Sequence, residues 1–309
     1  TDDAYAPYAG VAIQSLKENA DPSKLYAIYV LYTSLSAENI ERFLSMAKGN
    51  VGVSLINVSK LIGQWNTYST AHYSKAMFYR ILIPRLFSKR EKVLYLDSDI
   101  LIFDDIAKLF DIELGSCVVG AVRNICTVYR SQYVESVLGL DENKYFNSGV
   151  LVFNVKAYID GYIEERCVDL MKVFRNLECP DQDILNLACS GKVFWILGRW
   201  NVAWQHAISK DQHYVNPDVI YGFEADLENV AILHFTSASK PWNEEHAPFS
   251  ALFWDVAERS PFDKATIRQI QREKTNRALK DSKTTRTNQK KSLRKKLLDI
   301  TGNMAQKQL

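Results

Sequence analysis

Apolar residues recur along this chain with two periods, and the switches between them set out an order of helices and strands. Ala9, Ala12, Ile13 and Leu16 fall on one face of a helix over residues 5–17. Residues 25–31 read as a strand. Ser36 then serves as the N-cap of a helix over 36–48. Val51, Val53 and Leu55 alternate through a second strand over 51–58. Residues 71–87 follow a helical pattern as far as Pro84. Lys92–Leu96 is a short apolar strand that runs directly into Asp97-Ser98-Asp99, and 117–122 is another strand. The apolar segment 145–154 carries Asn147 and Gly149 inside it. Helices over 162–176 and 181–190, strands at 193–196 and 230–234, and an amphipathic helix over 248–259 complete the series. The last places Phe249, Leu252, Phe253 and Val256 on one face. Strands alternating with helices predict an α/β fold with a mostly parallel sheet flanked by crossover helices. Ligands of such sheets bind beyond the carboxyl ends of the strands, where Asp97 and Asp99 lie.

Composition adds a boundary. The 309 residues are 47% hydrophobic and 24% charged, enough for a large core, and no apolar run approaches the ~18 residues of a membrane span. Past Phe262 aromatic residues stop and Lys, Arg, Gln, Thr and Asn dominate, so a globular domain over 1–262 is expected to carry a tail over 263–309, partly helical or disordered. Residues 264–309 hold 14 Lys and Arg against 3 Asp and Glu, and the remainder holds 24 against 33, so an acidic body precedes a strongly basic tail. Such a tail is expected to meet an anionic membrane surface. Nucleic acid is not the expected partner, because the body is acidic and the tail has no rings for base stacking. Cys117, Cys126, Cys167, Cys179 and Cys189 are odd in number and lack metal-site spacing, which suits free thiols of a reducing compartment. A cytoplasmic protein, or one peripheral on the inner face of the membrane, is the expectation. The sequence opens at Thr1 without an initiator Met, so an upstream piece is also expected.

Four segments carry candidate chemistry. Asp97 and Asp99 can approach one hard cation together; as an isolated pair they would read as a solvated turn, but the strand aims both at a crevice. His234 ends a late strand and can complete a metal sphere, or simply be a hydrogen-bonded strand-end histidine, and Lys240 six residues on can reach a phosphate. Cys179-Pro180-Asp181-Gln182-Asp183 reads as a helix start, its acids either capping or facing a sugar. In Tyr145-Phe146-Asn147-Ser148-Gly149-Val150, Gly149 permits a bulge or a close ligand approach, with Asn147 bonding a polar ligand. Trp200, Trp204 and Trp242 are candidates for a sugar-stacking platform, with burial in the core as the alternative.

Taken in order, these segments resemble glycosyltransferase family 8, the retaining family that includes glycogenin and bacterial lipooligosaccharide galactosyl- and glucosyltransferases. The resemblance runs from Thr1 to about Phe262 and rests on Asp2-Asp3-x-Tyr5, Tyr79-Arg80, LYLDSD, YFNSGV, DQDILN and HFTSASKPW jointly. It implies a GT-A-type nucleotide-diphospho-sugar transferase fold and a metal-dependent transfer of a hexose from UDP-glucose or UDP-galactose to a carbohydrate or glycolipid acceptor. It further implies that Asp97, Asp99 and His234 hold manganese or magnesium. Donor contacts would come from Asp2 and Tyr5 at the uridine, Lys240 at the diphosphate, Ser98 in the acidic turn, and Arg80, Asn147 and Gly149 at the sugar. Asp181 and Gln182 would stand by the anomeric carbon, and Asp183 is the nearest candidate carboxylate for a covalent double displacement. An amide at Gln182 is a poor nucleophile, so front-side attack is favoured over a covalent intermediate. Two positions depart from the family pattern: Ala4, where bacterial members often have Asn, and Asn124, where some galactosyltransferases have an acid. The family's first strand should precede Thr1. The alternatives are a self-glucosylating, glycogenin-like enzyme and a UDP-sugar-binding protein without turnover.

Overall fold

A computed structural model describes residues 1–62, 75–174, 176–203, 226, 228–236, 239–244, 247–273 and 275. The chain divides into two units, Thr1–Asp263 and Lys264–Leu309. In the first, helix α1 (Ala6–Asn19) buries Val11, Ala12, Ile13 and Leu16. Strands β1 (Tyr26–Tyr32) and β2 (Val51–Asn57) pair in parallel, joined by α2 (Ala37–Ser45). A parallel pair requires such a crossover. Ser36 caps α2 as the sequence predicts, its hydroxyl accepting from the Asn39 N–H. Then come α3 (Ser59–Ile62), α4 (Tyr79–Leu86), β3 (Lys92–Leu96), β4 (Ile100–Ile102) and α5 (Ala107–Phe110). They are followed by β5 (Val119–Arg123), α6 (Val128–Ser136), β6 (Phe146–Asn154), α7 (Val155–Asp160), α8 (Ile163–Val173) and α9 (Pro180–Cys189). Strands β7 (Val193–Ile196), β8 (Val202–Ala203) and β9 (Ile232–His234) and helix α10 (Ser250–Glu258) complete the unit. In the second unit, residues 264–273 are helical.

Strand β6 organises the fold. It lies between β3 and β5, antiparallel to both, and β7 adds to β5 in parallel. A second sheet runs β4-β9-β8, antiparallel then parallel. The expectation of a mostly parallel sheet is corrected here. Among the described pairings three are parallel and three antiparallel, because a reversed strand at the centre imposes two antiparallel ladders. An apolar run buried on both faces carries no mark of its direction. Along β6, Leu151 and Phe153 enter a core with Ile184, Leu185 and Cys167 of α9 and α8. Val150 and Val152 face the other way, toward Ile100, Ile102, Ile232 and Trp200. Alternation along the strand thus feeds two cores.

Two further expectations change. In α10 the buried positions are Phe253, Val256 and Ala257, while Phe249 and Leu252 are exposed. Helix α4 continues past Pro84 to Leu86. The start of the predicted helix over 71–87 and the tail beyond 275 lie outside the described residues. All five cysteines are free, as expected.

Candidate active site

Strand pairing brings the candidate ligands together. Asp97, Ser98 and Asp99 form the turn between β3 and β4. Ile100 of β4 pairs with His234 of β9, and the Phe235 N–H donates to the Asp99 carbonyl at 2.9 Å. His234 is thereby set beside the acidic turn. Its Nε2 lies 3.2 Å from Asp99 Oδ1 and 3.6 Å from Asp97 Oδ2. Candidate ligand atoms of Asp97, Asp99 and His234 all fall within 4.8 Å of one another. Ser98 is half-buried in the same turn.

Gly149 closes the other side. Its carbonyl accepts from the Asp97 N–H at 2.8 Å. A Cβ there would stand 2.2 Å from His234 Cε1 and 2.8 Å from Asp97 Oδ2. Only a residue without a side chain lets β6 come this near both groups. Two carboxylates and one imidazole fit a divalent ion of the manganese or magnesium class. The cluster could hold one, with the remaining positions left to phosphate oxygens.

Lys240 Nζ lies 2.6 Å from Asp99 Oδ2 and also donates to the Phe235 carbonyl. Burial opposes ionisation of Asp99, but the Lys240 ammonium beside it draws its carboxyl below the usual range. The Thr236 hydroxyl nearby in sequence is buried and finds no partner among the described residues. Tyr5 is close enough to Lys240 and Asp99 for its hydroxyl to feel both charges, and burial raises its pKa. Asp2 sits one turn earlier and accepts from the Tyr5 N–H at 3.0 Å, shaping the entry to α1.

Arg80 lies beneath the cluster. Its guanidinium reaches Asp97 Oδ1 at 2.8 Å, Asp181 Oδ2 at 3.1 Å and the Ser148 carbonyl at 2.7 Å, and covers the Tyr95 ring. Tyr95 in turn donates to Asp97 Oδ1. The side chain is buried and bridges two acids at the floor of the cluster. Asp181 and Gln182 open α9, both buried. Burial raises the Asp181 pKa, against the pull of Arg80. Gln182 Oε1 accepts from the Ser148 N–H at 3.1 Å and its amide donates to the Tyr145 hydroxyl at 2.9 Å.

Asp183 is turned elsewhere. Tyr145 and Tyr133 donate to its two oxygens at 2.5 and 2.8 Å, and the Cys179 N–H donates at 3.0 Å. With no exposed surface and both oxygens committed, it caps the first turn of α9. Trp200 and Trp242 are also buried, the latter stacked on Tyr8 with ring centroids 3.8 Å apart, so neither offers a platform. Trp204 lies outside the described residues. Asn147 joins the site through its side chain, which accepts from the Gly149 N–H at 2.9 Å. Sequence reasoning missed Tyr95, Ser148 and Asn201. Ser148, a hydroxyl inside an apolar strand, was the one detectable signal.

Solved proteins with this arrangement of sheets and helices are glycosyltransferases of the GT-A type, and the fold is of that class. The chain belongs to glycosyltransferase family 8, whose family model, "Glycosyl transferase family 8", matches residues 1–246. It is 28% identical over 256 residues to General stress protein A of Bacillus subtilis (strain 168), covering 78% of this chain and 85% of that one. It is 26% identical over 268 residues to the lipopolysaccharide 1,3-galactosyltransferase of Salmonella typhimurium (strain LT2), covering 84% and 76%. Among solved structures, the galactosyltransferase LgtC in complex with donor and acceptor sugar analogs superposes with a TM-score of 0.69 at 26% identity, covering 84% of this chain and 94% of that one.

Proposed function

We propose that the chain transfers a hexose, glucose or galactose, from its UDP conjugate to an acceptor hydroxyl with retention of anomeric configuration. The observation that carries this reading is the convergence of Asp97, Asp99 and His234, with Lys240 beside them, at the end of β3. A divalent ion held there would neutralise charge gathering on the departing diphosphate. Lys240 stands at the edge of the cluster and supplies a second positive charge for that phosphate. Tyr5 offers its ring to the uracil side, with Asp2 holding the turn that presents it. The Gln182 carbonyl, fixed by Ser148 and Tyr145, stabilises positive charge at the anomeric carbon. Asp183 is capped by two tyrosines, so front-side attack is the favoured course, the leaving phosphate taking the acceptor's proton.

The acceptor side rests on the relatives and the tail. Lipopolysaccharide-modifying relatives point to a lipid-linked glycan, and the basic tail suits the anionic inner face of a membrane. No helix among the described residues is long and apolar enough to cross one.

The test is UDP release from a panel of UDP-sugars, with Mn2+, with Mg2+ and with chelator. Consumption of UDP-glucose or UDP-galactose that stops on chelation is expected. Unchanged turnover in chelator would remove the metal from the mechanism. UDP binding without consumption of any donor would instead favour a binding protein.

A further inference from the structure

A line of side-chain amides stands behind His234, and its polarity can be read from one end. The Gly149 backbone N–H can only donate, so the Asn147 atom 2.9 Å away is its oxygen. That oxygen also lies 2.8 Å from the Asn201 side chain, which must present its NH2 there. The other terminus of Asn201 is then its carbonyl oxygen, 2.8 Å from His234 Nδ1. A carbonyl only accepts, so Nδ1 carries the proton. Nε2 is left with its lone pair directed at the space between Asp97 and Asp99.

We infer that Asn201, aligned by Asn147 and Gly149, is a positioning residue that fixes His234 as the Nδ1–H tautomer and keeps Nε2 open for a divalent cation. This rests on the metal reading proposed above. The arrangement answers a specific competition. Asp97 and Asp99 are themselves acceptors, and left alone they would draw the ring proton to Nε2, where a cation has to bind. Asn201 draws it to the far nitrogen. Both Asn201 and His234 are buried, so bulk water does not offer a substitute acceptor. Three strands meet to make the relay: Asn147 comes from β6, His234 ends β9, and Asn201 immediately precedes β8, whose Ala203 pairs with His234. The line extends to Asn124, whose oxygen faces the Asn147 amide at 3.4 Å.

The experiment is the nitrogen NMR spectrum of the metal-free whole chain, 15N-labelled at histidine, at a pH where the rings are neutral. His234 is assigned by comparison with His234→Gln. A protonated Nδ1 and an unprotonated Nε2 are expected; protonated Nε2 in the wild type overturns the relay, and this measurement needs no variant at Asn201 to fold. Mn2+ binding, followed by the electron paramagnetic resonance of the free ion, gives the second readout. Asn201→Leu removes the acceptor at similar size and is expected to weaken Mn2+ binding about 10- to 100-fold. Asn201→Asp loses the donor to Asn147 but still accepts from Nδ1–H, and should keep the tautomer and bind Mn2+ more tightly than Asn201→Leu. Wild-type affinity in folded Asn201→Leu would overturn the inference. Failure of the wild type to bind Mn2+ at all would overturn the metal reading, while the spectrum would still decide the tautomer.

Discussion

Gly149 has no side chain, and the space it leaves is shared by an imidazole and a carboxylate. A methyl group there would sit 2.2 Å from a His234 ring carbon, so the ring has to move. Gly149→Ala should therefore weaken Mn2+ binding by on the order of tenfold or more, the range seen when groups supporting a metal site are disturbed. Its far-ultraviolet circular dichroism should stay unchanged, since no left-handed backbone is involved; unaltered affinity would show that the cleft is not a ligand site. The two acids differ in what they hold. Asp99 bonds outward to Lys240 and faces His234, whereas Asp97 receives Arg80 and Tyr95 from beneath. Asp99→Asn should cut turnover roughly a thousandfold or more, by loss of transition-state charge stabilisation, and should lower the melting temperature because Lys240 loses its carboxylate partner. Asp97→Asn should cut turnover as deeply and also lower the melting temperature, because Arg80 loses part of its charge compensation. Near-normal rates at saturating donor in either variant would take the motif out of catalysis.

At the level of elements, the site is the junction of β3, β6, β9 and the start of α9. Arg80 of α4 ties Asp97 at the end of β3 to Asp181 at the start of α9, so two segments 84 positions apart share one cation. Asp183 seals the same helix start from inside the protein. Asp183→Ala would strip the acceptor from two tyrosine hydroxyls and one backbone N–H, all in dry surroundings. The expected loss is at least about 2 kcal/mol of stability, read as a lowered midpoint in urea with an unchanged slope; an unmoved midpoint would refute the capping role. Much of this junction was legible in the sequence. An apolar strand ending in two acids, and a Pro-Asp helix start, are local patterns with local causes. The direction of β6 was not legible, because a strand buried on both faces reads the same either way. Strand β4 is only three residues long, and α6 shows little amphipathic contrast, so periodicity passed over both. Asn201 escaped for another reason. Its importance comes from two strands distant in sequence, and nothing in its neighbours announces an acceptor for His234.

For the molecule as a whole, the boundary near residue 263 separates a body that carries every residue assigned to donor binding from a tail that carries none. A chain ending at Asp263 should transfer hexose to a small soluble acceptor at close to the full-length rate. It should lose co-sedimentation with vesicles rich in anionic lipid. Each Lys or Arg near such a surface contributes roughly 1 kcal/mol, and the attraction should fade as salt rises. Equal binding by the two chains, or binding indifferent to salt, would end the membrane reading. The body was recognisable in the sequence because its motifs keep their order; the tail was recognisable only by charge, which names a kind of surface and no particular partner.

The same charge division reaches the bench. A formal charge of +2 suggests a protein that holds weakly to any ion-exchange resin near neutral pH. Yet with fourteen basic side chains among its last 46 residues, the chain should cling to a sulfonated matrix as a far more basic protein would. Proteolytic clipping within that stretch would then send the fragments to opposite columns. The acidic body would be retained on a quaternary-amine resin and the released peptide would pass through it, making chromatographic behaviour a sensitive report of whether a preparation is whole.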